Sequence, residues 1–244
     1  MNDPGSDLPT LTRDQAIEVD RIMVDELGIE LVQTMENAGR HFAQLARDRF
    51  LGGDAGGKRV TVLAGSGGNG GGAIVAARRL YGWGASVELV LVKPEDAFAD
   101  VPARQLTIAR AVGLSPTEAG AGGIQSDGPD VILDGIAGHG FAGNRPRGAV
   151  ADAMRWARAQ PTPILSLDVP AGMDATTGEL ASPAMKATAT LALALPKKGA
   201  LVFGAEEFVG ELYLADIGVP ELIYRKLGIE VGPLFSDSDL LRLR

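Results

Sequence analysis

Arg59-Val60-Thr61-Val62-Leu63-Ala64-Gly65-Ser66-Gly67-Gly68-Asn69-Gly70-Gly71-Gly72-Ala73-Ile74-Val75-Ala76-Ala77-Arg78-Arg79-Leu80-Tyr81 reads as strand, loop and helix in one stretch. Val60, Thr61 and Val62 are β-branched and suit a strand, and the apolar residues from Ala73 onward predict a helix over 73–82. Between them, Gly65, Gly67, Gly68, Gly70, Gly71 and Gly72 carry no Cβ. The sequence therefore predicts a tight turn with positive φ and a backbone able to approach a ligand, with helix-start amides facing a phosphate. This is the anatomy of a nucleotide cradle.

Two familiar nucleotide patterns fit the stretch less well. Gly65-Ser66-Gly67-Gly68-Asn69-Gly70 matches G-x-G-x-x-G, but a dinucleotide dehydrogenase also needs an acid roughly 20 residues on, closing the second strand. Here that strand ends Val90-Leu91-Val92-Lys93. A P-loop needs Lys and then Ser or Thr after its last glycine, and this chain offers Gly72-Ala73. A flexible turn with no ligand would leave unexplained six entropically costly glycines at the carboxyl end of a strand, where open α/β sheets bind ligands.

The order of elements around this stretch sets the fold class. Residues 1–9 read as a loose tail. Thr12-Arg13-Asp14-Gln15 is a capping box, opening a helix that Gly28 ends. A second helix follows, with Leu31, Met35, Ala38, Phe42, Leu45 and Phe50 on one face. After the central stretch come a strand at 86–92, a helix at 99–112 and a Gly-rich surface connection at 117–129. Then follow a strand at 131–134, a helix at 149–159 and a strand at 164–168. Further strands are expected at 189–195 and 211–215, joined by the turn Pro196-Lys197-Lys198-Gly199, with a last helix at 221–227. Alternation of strands and helices implies parallel pairing. The expectation is an α/β chain with a mostly parallel sheet, preceded by two N-terminal helices and forming a single domain over 10–244.

Composition excludes several classes. The 244 residues are 45% hydrophobic, enough for a substantial core, yet no apolar run approaches the roughly 18 residues of a membrane span. The first residues lack the basic and apolar regions of a signal peptide, so a soluble cytoplasmic protein is expected. There is no cysteine, which excludes disulfides and thiolate metal sites. His41 and His139 are the only imidazoles, too few for an ordinary zinc enzyme. A net charge of −8 opposes broad binding to nucleic acid or an anionic membrane, although helix amides and one or two cations still suffice for a dinucleotide.

In such a sheet the loops after Leu63, Leu133 and Leu167 share one mouth, which brings Asp134 and Asp168 beside the glycine loop. Each is followed by small residues, Gly135-Ile136-Ala137-Gly138-His139-Gly140-Phe141 and Val169-Pro170-Ala171-Gly172-Met173-Asp174. For Asp168, use in a site is expected over shaping the turn at Pro170. Asp134 has both readings and a third, that it holds a hard cation with Asn69. His139 reads as a loop residue, and Lys197 and Lys198 as solvated turn lysines.

Met35-Glu36-Asn37-Ala38-Gly39, the glycine loop before Ala76-Ala77-Arg78, Asp134 before Gly138-His139-Gly140, and Ser166-Leu167-Asp168-Val169-Pro170-Ala171-Gly172-Met173-Asp174 stand in one order. Thr176-Thr177-Gly178-Glu179, Pro196-Lys197-Lys198-Gly199 and Asp216-Ile217-Gly218-Val219-Pro220 continue it. With these motifs the chain resembles the NAD(P)H-hydrate epimerases, the YjeF N-terminal domain family, over roughly residues 10 to 224. The resemblance implies a Rossmann-like three-layer αβα sandwich, commonly a homodimer, that inverts carbon 6 of the nicotinamide ring in hydrated NADH or NADPH. It implies substrate contacts at Gly68, Asn69, Gly70, Gly71, Gly72, Gly138, His139, Gly140, Phe141, Ala142, Gly143 and Asp168. It also implies potassium held by Asn69 and Asp134, no organic cofactor, and a separate dehydratase in the same repair pathway. Asp168 is expected as the acid/base.

The chain departs from the family pattern at three places. Gly68 stands for the first loop asparagine, Gly72 for the loop aspartate, and Ala171 for a serine that helps hold potassium. These departures keep open a non-catalytic nucleotide-binding or interaction module of the same fold. An NAD(P)-dependent oxidoreductase is the remaining alternative.

Overall fold

The computed structural model describes residues 8–120, 124, 126, 128–141 and 145–244. Helix α1 (Arg13–Arg21) begins at the Thr12–Gln15 capping box and runs on into a π-helical turn, Ile22–Glu26, and α2 (Leu31–Phe50) follows. The remaining elements are β1 (Arg59–Ala64), α3 (Gly68–Gly82), β2 (Ser86–Leu91), α4 (Asp100–Ala111), β3 (Thr117–Glu118), β4 (Val131–Gly135), α5 (Gly148–Ala159), β5 (Ile164–Leu167), β6 (Ala189–Leu193), α6 (Glu206–Val209), β7 (Glu211–Ala215), α7 (Glu221–Lys226) and β8 (Leu240–Arg242).

The strands form one sheet in the order β3-β2-β1-β4-β5-β6-β7-β8, parallel throughout except for the antiparallel β7–β8 pair. Side chains alternate across it as the period of two requires. Val60, Val62 and Ala64 pack with Phe42 of α2, Ile74 and Leu80 of α3, and Leu106 of α4. Leu63 and Ile132 face the other way, against Met154 and Ala157 of α5. Ala192, Leu212 and Leu214 on that second face meet Ala200, Ala205 and Val209. This is the expected α/β three-layer sandwich with helices on both faces, as in Rossmann-like folds. Among the described residues no helix is long and apolar enough to cross a membrane.

Several local expectations are corrected. The glycine run does not loop out before a helix at 73, because α3 already begins at Gly68. None of its six glycines has a positive φ. For Gly65, Gly70, Gly71 and Gly72 the cause is close approach instead: a Cβ on Gly70 would lie 1.5 Å from the Gly65 carbonyl oxygen, and one on Gly65 would lie 2.0 Å from that of Ile136, whereas a Cβ on Gly67 or Gly68 would meet nothing within 4 Å. The 117–129 connection contributes a two-residue edge strand, β3. The antiparallel β8 has no counterpart in the expected strands. Positions 1–7 of the expected tail lie outside the described residues.

Candidate active site

The β1–α3 loop, the β4–α5 loop and the turn after β5 meet at the carboxyl end of the sheet, on either side of the point where the chain order reverses from β1 to β4. They enclose a cavity of about 630 Å³ lined by Gly68, Asn69, Gly138, His139, Gly140 and Phe141, among others. A second recess of about 90 Å³ continues inward past Asn69 and His139 to Asp168 and Lys197. Gly70, Gly71 and Gly72 do not line the cavity; Gly70 lies against the Gly65 backbone and the other two against packed side chains. A Cβ on Gly71 would meet Met35 Sδ at 2.4 Å, and one on Gly72 would meet Leu167 Cδ2 at 3.0 Å. Ala142 and Gly143 lie outside the described residues.

Asp168 is 1% exposed and takes φ +68°, a left-handed backbone rare for a residue with a Cβ. Its surroundings fix it there. Lys197 Nζ donates to Asp168 Oδ1 at 2.5 Å and to the carbonyls of Leu193 and Leu195 at 3.0 and 3.2 Å, which uses all three ammonium protons. The other carboxylate oxygen, Oδ2, accepts from the His139 backbone N–H at 2.8 Å and lies 3.0 Å from His139 Nδ1. The far nitrogen of that ring, Nε2, is 3.4 Å from Asp20 of α1.

The result is a chain of alternating charge, Asp20, His139, Asp168 and Lys197. Burial pushes the Asp168 carboxyl up, but Lys197 and His139 outweigh it and hold the group well below the usual carboxylate range. Burial pulls His139 down, and the hydrogen bonds to Asp168 and Asp20 reverse this and raise it to about 9. At neutral pH the pair is therefore a carboxylate beside an imidazolium.

Two lysines expected in solvent thus separate. Lys198 is exposed, whereas Lys197 is 2% exposed and is the partner of Asp168. The reading of Lys197 as a solvated turn lysine is overturned by the N-terminal segment. Leu11 donates to the Pro196 carbonyl at 3.0 Å and accepts from the Lys198 N–H at 2.9 Å, which lays residue 11 beside Lys197. His139 does lie in a loop, and its ring is turned onto Asp168. Two residues from opposite ends of the sequence close this site, and neither has a local signature.

Asn69 Nδ2 donates to the Leu167 carbonyl at 2.7 Å. A Cβ on Gly138 would lie 2.5 Å from Asn69 Oδ1 and 2.8 Å from Asp168 Oδ2, so only glycine lets these three groups converge. Asp134 is engaged differently. It is 1% exposed, accepts from Ile136 N–H at 3.2 Å on Oδ1, and from Ser166 Oγ and Ala171 N–H at 2.8 and 3.0 Å on Oδ2. Desolvation pushes its pKa up to about 6 against these three donors. Among the described residues no group of three or more His, Cys, Asp or Glu side chains is placed to hold a metal ion.

The chain has relatives among known proteins. Residues 32–199 match the family described as YjeF-related protein N-terminus. An NAD(P)H-hydrate epimerase of Dehalogenimonas lykanthroporepellens is 38% identical over 87% of this chain and 83% of its own. Another, from Rhodopirellula baltica, is 31% identical over 94% and 92%. The bifunctional NAD(P)H-hydrate repair enzyme Nnr of Salinibacter ruber is 29% identical over 95% of this chain but only 44% of its own length. The crystal structure of yeast ynu0 superimposes with a TM-score of 0.77 over 96% of this chain and all of that one, at 24% identity, which is a likeness of fold.

Proposed function

The chain belongs to the YjeF-related protein N-terminus family, and from that premise we infer that it is an isomerase that epimerises hydrated NADH or NADPH at carbon 6 of the nicotinamide ring, a metabolite-repair reaction. The observation that carries the site assignment is the buried Asp168 carboxylate, held in a left-handed backbone at the inner end of a cavity by Lys197 and His139. Carbon 6 of the substrate bears a hydroxyl and is bonded to the ring nitrogen. Breaking the C–O bond releases the hydroxyl as water, once it is protonated, and leaves an iminium cation. Water then adds to either face and gives up a proton.

The two charged partners divide this work. Asp168, held ionised, stabilises the cation through its negative charge and keeps His139 in place. His139, protonated at neutral pH and with its side chain 25% exposed, donates the proton to the departing hydroxyl and recovers one from the incoming water. On this reading His139 rather than Asp168, the expected acid/base, transfers the proton, because a carboxyl held that low is a poor acid at neutral pH. Purified protein supplied with one epimer should reach the two-epimer mixture far faster than the spontaneous rate, as read by chiral chromatography. The rate should fall as pH rises through about 9, where His139 loses its proton. A pH-independent rate across that range would remove His139 from the role.

We also propose that potassium, at Asn69 and Asp134, has only a weak effect. Asp134 already accepts three hydrogen bonds from the chain, and Ala171 brings a methyl group where a hydroxyl oxygen would add a ligand. A steep, obligatory activation in a potassium titration would contradict this. A homodimer, and a separate dehydratase acting on the same hydrate, complete the proposal. Sedimentation would report the first directly.

A further inference from the structure

Three cations stand at the mouth of the large cavity of a chain whose net charge is −8. Lys93 lies just beyond the carboxyl end of β2, while Arg145 and Arg147 lie in the loop before α5. All three side chains belong to exposed residues and line the cavity, where Asp20 is the only acid among the described residues. None of the three has an acidic partner among the described residues. Nearby Arg110, by contrast, is tied to Glu95. The mouth of the cavity thus presents uncompensated positive charge.

The sheet order gives these cations different places. Along the carboxyl edge, β2, β1, β4 and β5 are neighbours, so Lys93, the glycine loop, the Gly138-His139 loop and Asp168 follow one another in that sequence. A dinucleotide with its hydrated nicotinamide at Asp168 runs past the amides that open α3. There Gly71 N–H makes the first intrahelical bond, to the Gly67 carbonyl, and the preceding N–H groups of Gly68 and Asn69, both lining the cavity, are left for a phosphate. In that pose the adenosine ribose would reach the end of β2, where Lys93 lines the cavity. In dinucleotide-binding sheets of this kind, an acid at that end reads a free ribose 2′-hydroxyl, and a cation accommodates a 2′-phosphate. This chain has Lys93 there.

Resting on the epimerase reading above, we propose that Lys93 is a specificity-determining residue that selects the 2′-phosphorylated substrate, hydrated NADPH, over hydrated NADH. Arg145 and Arg147 supply the field that draws either dinucleotide in.

Two measurements test this, the first of them separately from the chemistry. The first is calorimetric and needs no turnover: the wild-type protein should bind adenosine 2′,5′-bisphosphate about ten- to a hundredfold more tightly than adenosine 5′-monophosphate, the range one charge-assisted contact supplies. Lys93→Ala should bring the two affinities together, whereas Arg147→Ala should weaken both by a similar factor. Equal wild-type affinities, or a Lys93→Ala variant that weakens both probes alike, would overturn the assignment, the latter showing that Lys93 reads the shared 5′-phosphate. The second compares kcat/KM for hydrated NADPH and hydrated NADH, with the ratio expected to favour the former and to collapse towards one in Lys93→Ala. If neither hydrate turns over while the calorimetric preference holds, the epimerase reading fails and the 2′-phosphate subsite stands.

Discussion

Asp168→Asn will cost the fold roughly 3 to 5 kcal/mol, the range seen when one member of a buried ion pair is removed and the other is left uncompensated. Lys197 is the group left behind. Its ammonium is 2% exposed, and the two carbonyls it also meets carry no full charge to balance it. A conservative substitution chosen to probe chemistry therefore reports on stability first. The remedy is to remove the pair together: Asp168→Asn with Lys197→Met should recover most of the lost stability in a urea melt. If Asp168→Asn alone melts like the wild type, the buried pair is not what holds this turn. The pair also sets an acid limit. Because the Asp168 pKa is depressed, its contribution is fully present above the ordinary carboxylate value of about 3.9 and is lost as pH falls below it.

Gly70→Ala will be at least as damaging, and for a steric reason. Its added Cβ would sit 1.5 Å from the Gly65 carbonyl oxygen, which is backbone and is fixed in turn by the hydrogen bond from Gly65 N–H to the Gly135 carbonyl at 3.1 Å. Overpacking of side chains costs about 1 to 3 kcal/mol, and a clash with fixed backbone lies beyond that range, at more than about 4 kcal/mol. Gly82→Ala, in the last turn of the same helix with no atom within 4 Å of the new Cβ, is the control and should change stability by less than about 1 kcal/mol. Equal melting of the two variants would mean that the turn relaxes in a way this packing does not allow.

The fold was largely legible because its signals are local. Alternating strands and helices, the Thr12–Gln15 capping box and the apolar face of α2 each depend on a few neighbouring residues, and each is where it was expected. The strands that escaped notice are two and three residues long at the sheet's edges, too short for a period of two to show. The site was legible in part. Asp168, Asn69 and the Gly138-His139-Gly140 loop could be placed at one mouth from strand order alone.

Lys197 could not be found that way. Pro196-Lys197-Lys198-Gly199 has the composition of a solvated turn, and nothing local tells its two lysines apart. Only the strand-like contact with Leu11, far away in sequence, buries one and leaves the other outside. Asp20 is similar, since its helical position says nothing about the loop its carboxylate meets. The glycine run suggests freedom in φ, whereas the chain uses the missing Cβ of Gly65, Gly70, Gly71 and Gly72 for close packing among β1, α2, α3 and their neighbours. Gly39 shows the same use, where a Cβ would lie 2.6 Å from the Gly72 carbonyl oxygen.

The most direct test is a time course with one purified epimer of the hydrated dinucleotide, run on the wild-type protein and on the Asp168→Asn, Lys197→Met double variant, each shown to be folded. The wild type should equilibrate the epimers well above the spontaneous rate, and the double variant, without the charge that stabilises the cation, should be slower by about 10²- to 10³-fold. A wild type no faster than buffer, or a folded double variant as fast as the wild type, would contradict the assignment of epimerisation to this carboxylate.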